Sequence, residues 1–337
     1  MKKVLLMILV LTLALVGCNQ GDNAGAGGEN TNNEGTQVTV EETTEETSEE
    51  SSEEAAEEVE EVRQTTYIDA LGKEVILESK PERVVCLYGS FADLWYEAGG
   101  ELVGIIESST LPEKALDLPK VGKMSTPNVE AILALQPDLV IIRAGYSKQE
   151  DLISIFEANE IAVYSADYNS FEETMTTFEN FCGMNENEAL YIEKSRPLIE
   201  GVDALRAIEH DFSYLLLFAS SKSISAKDDN ITAQIIDDMG GSNIAAAHSI
   251  ADEESKQFSF EKILELDPTY IFVQTMGDIE DAKARLESDV ASNPAWSSLT
   301  AVQEGRFIYL PKELFLYKPN MKYLDAYDYI NAILEGN

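Results

Sequence analysis

"NVEAILALQPDLVII" (Asn128–Ile142) and "SFEKILELDPTYIFV" (Ser259–Val273) spell one plan twice. Offset by 131 positions, they share Glu130/Glu261, Ile132/Ile263, Leu133/Leu264, Leu135/Leu266 and Pro137/Pro268. Each reads as a short helix, a turn and an apolar strand. A residue suited to N-capping opens each, Asn128 or Ser259. The glutamate follows two positions later, in the first turn, where a carboxylate favours the helix dipole by about 0.3–1 kcal/mol.

The repetition continues outward. Before the first copy, "RVVCLYG" leads into "FADLWYEAGG" and then "LVGIIES"; before the second, "SYLLLFASS" leads into "ITAQIIDDMGG". The paired glycines Gly99–Gly100 and Gly240–Gly241 each follow a helix of similar length, which predicts a left-handed C-cap in both. "QEDLISIFEANEIAVYS" and "FEETMTTFENFCG" complete the first half, and "RFIYLP" supplies a late strand to the second. Strands alternating with helices of this size predict βα units and a mostly parallel sheet.

Between the halves, "NENEALYIEKSRPLIEGVDALRAIEHD" carries apolar residues at Ala189, Ile192, Leu198, Val202, Leu205 and Ile208, close to helical spacing. Pro197 removes a bond to Glu193 and predicts a kink. The fold class is therefore α/β: two βα lobes with central, mostly parallel sheets, joined by one long α-helix, with a cleft between the lobes.

The first residues read as an address. Lys2 and Lys3 precede an apolar run, Val4 to Val16, too short for the ~20 residues of a membrane-spanning helix but right for a secretory signal. From Asn19 to Val62 there is no Lys, Arg or aromatic residue, and Glu, Ser, Thr, Gly and Asn dominate. Such a segment cannot bury enough apolar surface to order itself. About 45 flexible residues reach roughly 35–40 Å, further when like charges repel. The chain divides into a signal peptide (1–17), an acidic tether (18–64), an N-terminal lobe (65–184), a connecting helix (185–211) and a C-terminal lobe (212–337).

Charge narrows the partners. The 337 residues carry a formal net charge of −38, and 47 of the 62 acidic and 21 of the 24 basic residues lie beyond residue 63. Nucleic acid is excluded as a partner, because phosphate backbones call for clustered Lys and Arg. Cys86 lies in a strand-like run and Cys182 in a helical one, with no spacing that suggests a disulfide or metal site. Only His210 and His248 exist, neither at a strand end, so a zinc or manganese site lacks its ligands. The folded part has no G-x-S-x-G, H-E-x-x-H, P-loop or C-x-x-C pattern, and the chain reads as a non-enzyme.

The whole resembles a known family. "LVGC" (Leu15–Cys18) resembles a bacterial lipobox, which implies cleavage before Cys18 and lipidation of its sulfur. Three stretches, "PERVVCLYGSFADLWYEAGGELVGI", "VGKMSTPNVEAILALQPDLVII" and "NPAWSSLTAVQEGRFIYLP", resemble segments of the class III substrate-binding proteins, which deliver ferric siderophores, haem or vitamin B12 to ABC importers. The resemblance runs roughly from Thr66 to Leu334. It implies an extracytoplasmic monomer, lipid-anchored to the cell membrane, that needs no cofactor or metal of its own. Its partner would be an ABC permease dimer with its ATPase, docked through Glu130 and Glu261, one carboxylate per lobe.

Ligands of open α/β sheets bind beyond the carboxyl ends of the strands. Candidates by that rule are Tyr88, Phe91, Arg143 and Tyr146 from the first lobe, and Ser221, Lys222, Gln257, Phe315 and Tyr317 from the second. The set is aromatic with few charges, which favours a bulky, weakly charged complex. A ferric siderophore is the expected ligand, with a corrinoid as the alternative. Haem, the other alternative, fits less well, since neither histidine is placed as an axial ligand, although a tyrosine could serve.

Overall fold

A computed structural model describes residues 64–108, 111–248, 260–291 and 293–336. Two antiparallel strands, β1 (Thr65–Ile68) and β2 (Glu74–Leu77), form a small hairpin. Asp69 holds its turn, with Oδ1 accepting from the N–H groups of Leu71 and Lys73 at 2.9 and 2.8 Å. The first lobe then builds β3 (Val84–Cys86), α1 (Gly89–Glu97), β4 (Gly104–Glu107), β5 (Lys120–Lys123), β6 (Thr126–Pro127) and α2 (Val129–Ala134). It ends with β7 (Leu139–Arg143), α3 (Ser147–Glu150), α4 (Ile153–Glu157) and β8 (Ala162–Ala166).

The sheet order is β6-β5-β4-β3-β7-β8, parallel except for the β5–β6 pair. Leu139 to Ile142 are all 0% exposed, as a strand covered by helices on both faces requires.

Two helices follow, α5 (Phe171–Met184) and α6 (Glu188–Arg206). Ser170 caps α5 by accepting from Glu173 N at 3.1 Å. Helix α5 serves both lobes: Phe178, Phe181 and Cys182 join the first core, whereas Phe171 and Met175 join the second. Helix α6 packs along it, with Tyr191 against the first core and Leu198 and Val202 in the second. Helix α6 is thus the long helix that joins the lobes, with α5 running beside it. Pro197 lies inside α6 on an exposed face, where water can satisfy the carbonyl that the missing N–H leaves free.

The second lobe comprises β9 (Phe212–Ala219), β10 (Ile224–Lys227), α7 (Ile231–Asp238), β11 (Gly241–Asn243), α8 (Ile244–His248), α9 (Phe260–Leu266) and β12 (Tyr270–Thr275). After these come α10 (Ile279–Ala291), α11 (Thr300–Gln303), β13 (Phe307–Tyr309), α12 (Lys312–Phe315) and α13 (Tyr323–Leu334). Strands β11, β9, β12 and β13 are parallel, and β10 turns back antiparallel on β9. Alternation places Tyr214, Leu216 and Phe272 on one face and Leu215, Leu217, Ile271 and Val273 on the other, each with its own core.

The repeated stretches share a local structure. Ile132 and Ile263 are both fully buried, and the residues after each helix, Gln136 and Asp267, take left-handed φ of 47° and 41°. The expected glycine caps are there as well, with φ of 84° at Gly99 and 85° at Gly240. Cys86 and Cys182 are buried free thiols, and burial pushes each up to about 12.

Candidate functional site

The carboxyl ends of β3, β4, β5 and β7 open on one side of the first lobe. Glu107, Ser108, Lys123, Met124 and Ser125 line a hollow of about 400 Å3 there. Tyr88 sits between β3 and α1, half-buried, with its ring 4.7 Å from that of Phe91. Arg143 ends β7, and its guanidinium carbon stands 5.2 Å from the centre of the Tyr88 ring. Arg143 Nε is buried and has no hydrogen-bond partner among the described residues. A guanidinium left so invites an anionic or acceptor oxygen.

A second cation arrives from the other lobe. After α12 the chain crosses toward the first lobe, and the Lys318 side chain is 8% exposed. Its ammonium donates to Tyr168 O, stands 4.3 Å over the Tyr168 ring and lies 3.5 Å from Asp167 Oδ1. Burial lowers its pKa to about 8; Asp167 opposes that shift and the positive charge of Arg143 adds to it. The two cations therefore share one electrostatic neighbourhood. Phe91 touches both tyrosines that the cations cover, its ring 5.4 Å from that of Tyr168.

Next to Lys318, Asn320 fastens the lobes together. Its Oδ1 accepts from Tyr168 OH at 2.6 Å, and its Nδ2 donates to Ser90 O at 2.9 Å and Asp93 Oδ2 at 2.8 Å. Asn320 is 1% exposed with φ of 52°, a left-handed backbone that asparagine tolerates better than most residues.

The sequence-derived candidates fare unequally. Tyr88 and Arg143 come together, Tyr146 is half-buried at the start of α3, and Tyr317 is half-buried beside Lys318. Phe91 and Phe315 are 0% and 1% exposed and belong to the two cores, so neither is open to solvent at the strand ends. Aromatic burial outweighed their position after a strand. Ser221 and Lys222 are exposed at the tip of the β9–β10 hairpin. Gln257, Ser259 and Cys18 lie outside the described residues. Glu130 and Glu261 are exposed in the first turns of α2 and α9, and Asn128 caps α2 by accepting from Ala131 N at 3.1 Å.

Sequence reasoning missed Lys318 and therefore underrated the positive charge of this region. A single signal was available: "YKPN" (Tyr317–Asn320) places a lysine before a proline soon after the last strand. Of the histidines, His210 Nε2 lies 3.3 Å from Asn331 Oδ1, away from these residues. Among the described residues no group of three or more His, Cys, Asp or Glu could hold a metal ion, and no helix is long and apolar enough to cross a membrane.

The chain has relatives of known type. The Fe(3+)-citrate-binding protein YfmC of Bacillus subtilis is 24% identical over 247 residues, spanning 71% of this chain and 75% of its own. The vitamin B12-binding protein of Vibrio campbellii is 25% identical over 225 residues, 64% of this chain and 80% of its own. Among solved structures, Vibrio cholerae vitamin B12 binding protein BtuF aligns with a TM-score of 0.62 at 24% identity, over 76% of this chain and 97% of that one. Staphylococcus aureus SirA complexed with staphyloferrin B also gives 0.62, at 19% identity, over 80% and 97%. These likenesses show a shared fold. Residues 84–314, from β3 into α12, match the family model itself, and the chain belongs to the periplasmic binding protein family.

Proposed function

We propose that this protein is the substrate-binding component of an ABC importer, and that it captures a bulky ferric chelate of siderophore type between its lobes. It acts by binding and release, without catalysis, as its relatives' names suggest for them. Lipid on Cys18 anchors it outside the cytoplasmic membrane, and the acidic tether gives it reach. Glu130 and Glu261 meet basic sockets on the twofold permease.

The observation that carries the ligand class is the buried, unpaired Nε of Arg143 at the carboxyl end of β7, with the buried ammonium of Lys318 over the Tyr168 ring as a second cation from the other lobe. Arg143, whose Nε lacks a hydrogen bond, and Lys318 favour a chelate that presents anionic oxygens over the weakly charged complex that the sequence suggests. A ferric hydroxycarboxylate meets that need, with Tyr88, Tyr146 and Tyr317 offering faces to its organic part. A corrinoid is the second reading, favoured by similarity to vitamin B12-binding proteins.

Calorimetric titration with ferric citrate, a cationic ferrioxamine-type chelate and cobalamin tests this. Ferric citrate should bind most tightly, and Arg143→Gln should weaken it at least tenfold. Tight binding of cobalamin alone, or an Arg143→Gln affinity equal to wild type, would overturn the ferric reading.

A further inference from the structure

Gln149 is a fully buried polar side chain on the four-residue helix α3. Its Oε1 accepts from Arg143 N at 2.8 Å, and its Nε2 donates to Leu87 O at 2.9 Å and to Met124 O at 3.3 Å. Arg143 ends β7, Leu87 directly follows β3 and precedes Tyr88, and Met124 directly follows β5 and lines the hollow. One amide thus ties three strand ends that are far apart in sequence, all at the carboxyl edge of the sheet. An amide suits the task, since it offers two donors and an acceptor on one planar group.

A buried glutamine often does no more than satisfy its neighbours in a core. Here the groups it satisfies sit at the strand ends, Leu87 O and Met124 O just beyond β3 and β5 and Arg143 N in the last residue of β7, while the strands themselves pair without it through the parallel β3–β4, β3–β7 and β4–β5 ladders. Its neighbour on α3, Glu150, adds to the same clasp by accepting from Gly145 N at 2.7 Å.

The second lobe repeats the device with other residues. Gln274, 5% exposed near the end of β12, accepts from Asn230 Nδ2 at 2.9 Å and donates to Thr232 Oγ1 at 2.9 Å and to Phe315 O. It ties the end of β12 to the start of α7 and to the segment that leads to Lys318.

We propose that Gln149 is a positioning residue of the ligand site, holding the loops that carry Tyr88, Met124 and Arg143 in their binding arrangement before ligand arrives, with Gln274 as its counterpart in the other lobe. The inference rests on the proposed function for its binding role but not for its structural one. A wall fixed in advance spares the ligand the cost of ordering it.

The test uses the purified full chain, with ferric citrate as probe. Without ligand, Gln149→Leu should speed hydrogen exchange of the Arg143 amide and of the loops after β3 and β5 by at least tenfold. Exchange in the middle of β3 and β7 should not change. Affinity for ferric citrate should fall at least tenfold. Gln149→Glu should lose affinity relative to wild type at pH 8 and recover part of it at pH 5, where the buried acid is protonated and can donate again. The inference fails if exchange at Arg143 is unchanged, if it rises equally through β3 and β7, or if affinity stays within twofold of wild type. Should wild type itself not bind ferric citrate, the ferric reading fails, and the exchange measurement still decides whether Gln149 holds the loops.

Discussion

Lys318 pays for its position with part of its basicity. Its pKa is lowered to about 8 by burial first, against Asp167 and with Arg143, while Glu173 also faces it. Two effects of opposite sign follow as pH rises. The site loses a positive charge through about pH 8, so affinity for an anionic chelate should fall between pH 7 and pH 9. Stability moves the other way: between about pH 8 and the ordinary value of 10.5, the unfolded chain keeps a proton that the folded chain has released. That difference makes the contribution of Lys318 to stability rise with pH. Comparing Lys318→Met with wild type isolates both. The variant's affinity should show a flatter pH dependence, and any stability advantage it has at pH 7 should shrink by pH 10. An advantage that grows with pH would show that the ammonium is not strained by burial.

At the scale of elements, α6 contains a proline that a helix of its length does not need. Pro197 is exposed, and only Ser195, Leu198 and Val202 of this helix are buried. Proline inside a helix costs about 3 kcal/mol through the lost hydrogen bond and the ring clash. Pro197→Ala should therefore stabilise the protein by about 1–3 kcal/mol in denaturant unfolding, without changing ligand affinity. A loss of stability would mean that Pro197 sets how α6 packs on α5 and α13. Arg206 closes the end of this helix: it donates to Glu172 Oε1 at 2.6 Å, to Tyr327 OH at 3.0 Å and to Asp238. One guanidinium thus gathers α5, α7 and α13 around the last turn of α6.

At the scale of the molecule, the described residues join the lobes through the α5–α6 pair and the Lys318–Asn320 crossing. A helix pair resists bending, and Asn320 adds three hydrogen bonds into the first lobe. Small-angle scattering of the free and ferric citrate-bound wild type should nearly coincide. Asn320→Ala should allow a measurable contraction on binding; an equal contraction in wild type would show that the crossing does not restrain the lobes. The pseudo-twofold repeat bears on the permease. Glu130→Ala and Glu261→Ala should each lower uptake in cells while leaving ligand affinity unchanged, because both carboxylates lie on exposed first turns. Affinity that falls in step with uptake would place them at the ligand instead.

The repeated helix, turn and strand determined the architecture, because each of its signals is local. Ile132 and Ile263 repeat at core spacing, and Gly99 and Gly240 stand where a helix must end in a left-handed residue. Local signals also placed Arg143 and Tyr88, which follow strands that the apolar pattern marks plainly. Which of the candidates stay accessible at the strand ends was decided only by packing. Phe91 and Phe315 satisfy the strand-end rule and are nonetheless buried, since a large ring gains more from a core than from a wall. Lys318 and Asn320 follow no strand-end pattern; they matter because the chain folds back some 150 to 230 residues to Tyr168, Ser90 and Asp93. Gln149 is a polar residue on a four-residue helix until the fold brings Leu87, Met124 and Arg143 within reach of one amide. Periodicity records what each segment buries, but the hydrogen bonds between strand ends exist only once the segments have met.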